Sequence, residues 1–373
     1  MQSSFTPANQ FDGRDKWQQD GDENDSCSAA LPTPNILPVP DPSMQELTQS
    51  QYEAALAAAE DPSASAEERA EMLMEMAMGL QSRPKAPRQL LDAVALYERA
   101  LTLAEDGAPL LRARIRARMG TALQALPDED GVYLPRALEC LQSAIEILQG
   151  QGRPEEAAEA LLNIGLVQQA LAASGRARIQ DAIASYHKAL RTFTRETHAP
   201  EFALLHNNLA VAYLSIPASD ERARMREALA VQSFEEVLKV INVVDNPSEY
   251  AMIQNNLGNA LQYVSSGHAL ENNLRALLAY DESLRVRNPH DTPVAYANTI
   301  ANKANVLRNL PSALQGPDAK SAPADPLAAA LSLYREAEQL YRQHGDLERA
   351  RIVGACARDI DSEMVQRRAR ANS

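Results

Sequence analysis

Three residue patterns recur along this chain at one common interval, and that constrains the fold more than any other feature. The first is Ala, three residues, a large residue, two residues, a small residue. It reads Ala93-Tyr97-Ala100, Ala137-Leu141-Ala144, Ala182-Tyr186-Ala189, Ala230-Phe234-Val237, Ala276-Tyr280-Ser283 and Ala330-Tyr334-Ala337. Its central residues lie 44, 45, 48, 46 and 54 positions apart. Residues i, i+4 and i+7 share one face of a helix, so each copy predicts a helix with a small–large–small stripe. The second pattern is a small residue roughly 20 positions earlier: Gly120, Gly165, Ala210, Gly258 and Ala304. Glycine inside a helix costs about 1 kcal/mol relative to alanine. Its return at a fixed period implies that two helices approach closely there. The third is proline, at Pro109, Pro154, Pro200, Pro247 and Pro293. Proline suits the first position of a helix, where the missing N–H has no partner to lose. Asn246 and Thr292 precede two of these prolines and are candidate N-caps.

Together the patterns define a helical hairpin. Helix A starts at the proline and packs through the small residue, a polar loop follows, and helix B carries the stripe. The loops fall at 127–131, 173–175, 217–220, 265–267 and 311–326, and the last accounts for the longest interval. Aromatic residues make up only 5% of the chain, which favours helices over sheets. One hairpin cannot bury its apolar face alone, so the copies must stack.

The small residue of helix A, the stripe of helix B and the proline between repeats resemble the tetratricopeptide repeat, whose common period is 34 residues. The longer period here, with Asn207-Asn-Leu-Ala210 and Asn255-Asn-Leu-Gly258, is similar to the repeats of kinesin-light-chain type and their bacterial relatives. The resemblance implies an all-α, right-handed superhelical solenoid of about six hairpins. The repeats are expected near 66–107, 108–152, 153–198, 199–245, 246–291 and 292–345. Ala77 is the small residue of the first repeat, and a capping helix follows at 346–366, polar on one side through Arg349, Arg351, Arg358, Asp359 and Glu363. The solenoid as a whole is placed at 46–366. Residues 1–45 are acidic and proline-rich and read as a disordered tail, as do 367–373.

Two positions before each small residue of helix A stand Arg118, Asn163, Asn208, Asn256 and Asn302. Asparagine is a mediocre helix former, so its repetition at one register needs a reason. In the families resembled, helix A lines the concave surface, and asparagines here hydrogen-bond the backbone of an extended peptide. A carboxamide both donates and accepts, as that task requires. Asn207, Asn255, Asn259 and Asn305 extend the same side, with Gln124, Gln169, Gln262 and Arg308 a turn further on. The alternative is that the amides tie helix A to a neighbour. Arg114 and Arg118 share a face and could receive a carboxylate. Their alternative is ion pairing with Glu98 or Glu105.

Other classes of function find little support. The net charge of −14 disfavours nucleic acid and anionic membranes. Arg367, Arg368 and Arg370 are too few to make a basic patch. The six histidines show no metal-ligand spacing, and there is no phosphate-binding glycine loop or nucleophile motif, so neither cofactor, metal nor enzymatic activity is expected. Cys27, Cys140 and Cys356 suggest no disulfide framework, the last two reading as core thiols. With no secretory signal and no apolar run of membrane-spanning length, a cytoplasmic location is expected. The leading expectation is therefore a non-enzymatic adaptor or assembly chaperone that binds an extended peptide of a client protein. A self-associating scaffold, with homo-oligomers, remains an alternative. So does a regulatory sensor whose tail blocks the groove, with residues 12–25 meeting the arginines.

Overall fold

The computed structural model describes residues 53, 56, 57, 59, 63–82, 84, 86–104, 108–216, 221–264, 268–310 and 325–371. Among them there are helices and no strands. The expected tail at 1–45 and nearly all of the loop at 311–326 lie outside the described residues. The helices are α1 (Ala66–Ser82), α2 (Pro87–Leu103), α3 (Pro109–Gln124), α4 (Tyr133–Gln151), α5 (Pro154–Ala173), α6 (Ile179–Ala189), α7 (Ala199–Leu214), α8 (Glu221–Val237), α9 (Pro247–Tyr263), α10 (Ala269–Leu284), α11 (Pro293–Arg308), α12 (Pro326–Gln343) and α13 (Leu347–Ala371). They pair as hairpins: α1 with α2, α3 with α4, α5 with α6, α7 with α8, α9 with α10, and α11 with α12, while α13 packs on α12. The chain is an all-α solenoid. It divides into two compact blocks, one ending at His198 and carrying α1–α6, the other starting its helices at Ala199 and carrying α7–α13.

Within each hairpin the recurring stripe is the core. Tyr97, Leu141, Tyr186, Phe234 and Tyr280 are fully buried, as are the alanines before them. Ser283 stands where other repeats have Ala or Val. It is tolerated because its Oγ donates to the Ala251 carbonyl of α9 at 2.7 Å. The small residues of helix A mark close approach. A β-carbon on Gly120 would lie 2.7 Å from Leu141 Cγ, one on Gly165 2.4 Å from Tyr186 Cε1, and one on Gly258 2.6 Å from Tyr280 Cε1.

Proline begins α3, α5, α9 and α11, and Pro200 is the second residue of α7. Pro87 and Pro326 also begin helices, both of them second helices, which the periodic pattern does not anticipate. Asn246 and Thr292 occupy the N-cap positions of α9 and α11, yet neither side chain caps its helix. The Thr292 hydroxyl is spent one turn earlier. Asn288 Oδ1 accepts from the backbone N–H groups of His290 and Asp291, while Thr292 Oγ1 accepts from Asn288 N at 3.0 Å. Asn242 makes the same turn with Val244 N and Asp245 N. In both turns the asparagine Nδ2 also donates to the aspartate three residues on. The signal, Asn-x-x-Asp recurring 46 residues apart, was legible in the sequence.

Other expectations change. Arg349 was assigned to the polar side of the cap, but it is buried: Nε pairs with Asp346 at 3.3 Å and the guanidinium lies 5.9 Å from the Tyr341 ring centroid. The helix it sits on runs to Ala371, past residue 367 where a tail was expected. Cys140 is free and buried, and Cys356 is buried as well, as expected of core residues.

Candidate functional site

The candidate residues lie on the first helices of the hairpins, α3 and α5 in one block and α7, α9 and α11 in the other. In the first block the register pairs charge with charge. Arg114 Nε donates to Glu156 Oε1 at 2.9 Å and its Nη2 to Oε2 at 3.3 Å, while Arg118 Nη1 donates to Glu159 Oε1 at 2.7 Å. Both acids come from the next repeat's helix A, not from Glu98, which pairs with Arg136. Glu105 lies outside the described residues. Arg112 donates to the carbonyls of Leu101 and Ala104, the end of α2. Glu156 also accepts from Arg153 N at 2.9 Å, closing the start of α5. Burial pushes the Glu156 carboxyl up, but the bonds from Arg114 and Arg153 and their charges outweigh this and hold it below its ordinary value. Arg114, Arg118, Glu156, Glu159 and Asn163 line a small cavity of about 30 Å³, large enough for a single water. Asn163 itself donates to the Glu159 carbonyl one turn back, at 2.9 Å.

The second block is richer in amides, and they are buried. Every residue of α9 from Ala251 to Leu261 is enclosed, including Gln254, Asn255, Asn256 and Asn259. Asn207, Asn208, Asn302 and Asn305 are likewise buried. Their partners divide them into two sets. Asn259 and Asn305 face into their own hairpins: Asn259 Oδ1 accepts from the Tyr280 hydroxyl at 2.7 Å, and Asn305 Oδ1 accepts from that of Tyr334. Gln262 donates to the Tyr280 oxygen. In the first block, Gln169 and Gln81 receive the hydroxyls of Tyr186 and Tyr97 at 2.9 and 2.8 Å. Where helix B carries Phe234 instead of tyrosine, helix A offers Val211 and Leu214, both buried and apolar. Where it carries Leu141, the Gln124 Oε1 is buried with no partner. This amide row is thus a clasp for the helix B phenol.

Asn207, Asn208, Asn255, Asn256 and Asn302 form the other set. Asn302 Nδ2 donates across a repeat to Asn255 Oδ1 at 3.3 Å. Asn208 Nδ2 donates to the Leu204 carbonyl at 2.8 Å. Asn207 Oδ1, Asn208 Oδ1 and Asn256 Nδ2 are buried and have no hydrogen-bond partner. Sequence reasoning found these residues but missed Glu156 and Glu159. The signal was an acidic residue 41 or 42 positions after each arginine, close to one repeat.

Small residues set against a large side chain, in stacked antiparallel hairpins, are the tetratricopeptide arrangement. The hairpins are tetratricopeptide-like. Residues 122–276 match the family model described as "Soluble NSF attachment protein, SNAP", less than half of the chain. No curated protein matches in sequence. Among solved structures, BtubC (BKLC) from P. vanneervenii is 20% identical with a TM-score of 0.46, covering 66% of this chain and 92% of that one. A Rap protein complexed with competence and sporulation factor is 11% identical with a TM-score of 0.32, covering 88% and 89%. The TPR2AB domain of yeast Sti1 in its pHSP90 complex is 16% identical with a TM-score of 0.24, covering 77% and 99%.

Among the described residues no group of His, Cys, Asp or Glu could hold a metal ion, and no helix is long and apolar enough to cross a membrane.

Proposed function

We propose that this chain is a non-enzymatic adaptor that holds an extended segment of a client protein on faces formed by the first helices within each block. The observation that supports this is unspent hydrogen-bonding capacity: acceptors at Asn207 and Asn208 and a donor at Asn256, all without partners. Leaving a buried polar group unpaired costs about 1–3 kcal/mol. A peptide group supplies the complementary N–H and C=O whatever its side chain. Because these atoms are enclosed, binding requires neighbouring first helices to part. The matching family model is described as an attachment protein, the same class of function. In the first block, Arg114, Arg118 and Asn163 would meet a ligand only after Glu156 or Glu159 gives way.

The test is affinity capture from the native lysate with the intact protein and with a variant carrying Asn163→Ala, Asn208→Ala, Asn256→Ala and Asn302→Ala, shown to be equally helical by circular dichroism. A partner held by the intact protein and lost by the variant supports the reading. Equal capture by both overturns it.

One observation favours self-association as a second reading. On α10, Leu270 and Leu278 are exposed, with half-buried Leu274 between them at four-residue steps. Sedimentation equilibrium of the intact chain and of Leu270→Gln with Leu278→Gln decides it: oligomers present in the first and absent in the second would establish this role.

A further inference from the structure

Asn256 and Asn302 occupy the same register one repeat apart, 46 residues, and so do Asn207 and Asn255, 48 residues apart. The pair Asn207 with Asn256 is therefore the repeat equivalent of Asn255 with Asn302. The later pair is joined, Asn302 Nδ2 to Asn255 Oδ1. In the earlier pair the same two atoms, Asn256 Nδ2 and Asn207 Oδ1, are both buried and both unpartnered. The donor and the acceptor that make the bond in one junction are left open in the next. The α3–α5 junction has no such option, because the residue equivalent to Asn207 is Ala117 there. The helices agree with the side chains: α9 packs directly on α11, while α7 and α9 meet less closely.

We propose that Asn207 and Asn256 form a latch between the fourth and fifth repeats, open in this conformation and closed when α7 and α9 approach as α9 and α11 do. Closure removes two unpaired buried groups at once, which supplies its driving force. The cost is a small change in the angle between two hairpins, the kind of movement that stacked repeats allow because each touches only its neighbours. The latch does not depend on the proposed function. Where that reading holds, closure withdraws the Asn256 donor and the Asn207 acceptor from a bound chain, so the closed latch and the client compete.

A double-mutant cycle on the free, full-length protein tests the latch: Asn207→Ala, Asn256→Ala and both together, followed by urea unfolding, with the cycle for Asn255 and Asn302 beside it. The expected result is a favourable coupling in both cycles, about fivefold in the folding equilibrium constant for a hydrogen bond of ordinary strength. Additive effects at Asn207 and Asn256 would overturn the proposal, whether or not Asn255 and Asn302 couple. If Asn207→Ala does not fold, Asn207→Leu replaces it, since leucine stands at the equivalent position 162. No client is present in this experiment, so its failure leaves the adaptor reading to its own capture test.

Discussion

The ring of Tyr186 occupies the space that a β-carbon on Gly165 would need: Cε1 lies 2.4 Å from that position. The glycine is thus a packing requirement of helix B, and the periodic small residue in helix A is its imprint. Gly165→Ala is expected to destabilise the protein by about 1–3 kcal/mol, because a buried ring has little room to retreat. Gly258→Ala, facing Tyr280 in the same way, is expected to behave alike. Gly79 in α1 has nothing within 4 Å of such a carbon, so Gly79→Ala should be neutral or slightly stabilising. Thermal unfolding of the three variants checks the contrast.

The tyrosine hydroxyls make a separate prediction. Tyr280→Phe strands Asn259 Oδ1 and removes the acceptor of Gln262, at an expected cost of about 1–3 kcal/mol. The reverse change, Phe234→Tyr, places a hydroxyl against Val211 and Leu214 and should also destabilise. Urea unfolding measures both. A Tyr280→Phe variant as stable as the parent would mean that the clasp is idle.

Arg287 sits where the preceding repeat has the buried residue Ile241, and Thr299 sits where it has Ile253. Arg287 Nη1 donates to Thr299 Oγ1 at 2.8 Å and to the Ala295 carbonyl, and burial pulls its pKa down to about 10. A buried cation without a carboxylate is costly. Arg287→Met combined with Thr299→Ile is therefore expected to leave stability unchanged or raise it. Arg287→Met alone removes the Thr299 partner and should gain less. Melting temperatures of the two variants decide.

Glu156 links acidity to stability. Its carboxyl is held below the ordinary value of 4.5 in the folded protein, so the unfolded chain binds the proton more readily. The stabilisation is complete above about pH 4.5 and is lost as pH falls through the depressed folded value. Glu156→Gln should weaken the protein at pH 7 and lose that penalty progressively on acidification. Unfolding curves of parent and variant between pH 7 and pH 3 are expected to converge at the acid end.

Much of the architecture was legible in the chain itself. The stripes at Ala93-Tyr97-Ala100 and its successors, the glycines opposite them and the prolines at helix starts are local patterns, and helix geometry converts them directly into faces. The amides were legible as a register but not as a role. Asn259 and Asn305 were expected with Asn256 and Asn302 on one binding side. Their oxygens instead meet Tyr280 and Tyr334, because a side chain one position after the small residue turns toward helix B of its own hairpin. The pairing of tyrosine with an amide and of Phe234 with apolar residues was present in the sequence, but only an assignment of facing positions makes it readable.

The sequence by itself determined the repeat, the hairpin and the core, since these depend on spacings within one helix and on the volumes of the side chains that fill it. Only the tertiary structure decided the partners: Arg114 with Glu156, Arg118 with Glu159, Asn302 with Asn255, and Asn256 with none. Each of those bonds spans about one repeat, and it forms or fails with shifts of about an ångström in how neighbouring hairpins are set, since hydrogen bonds weaken steeply with distance and angle. No periodicity in a sequence records a displacement of that size.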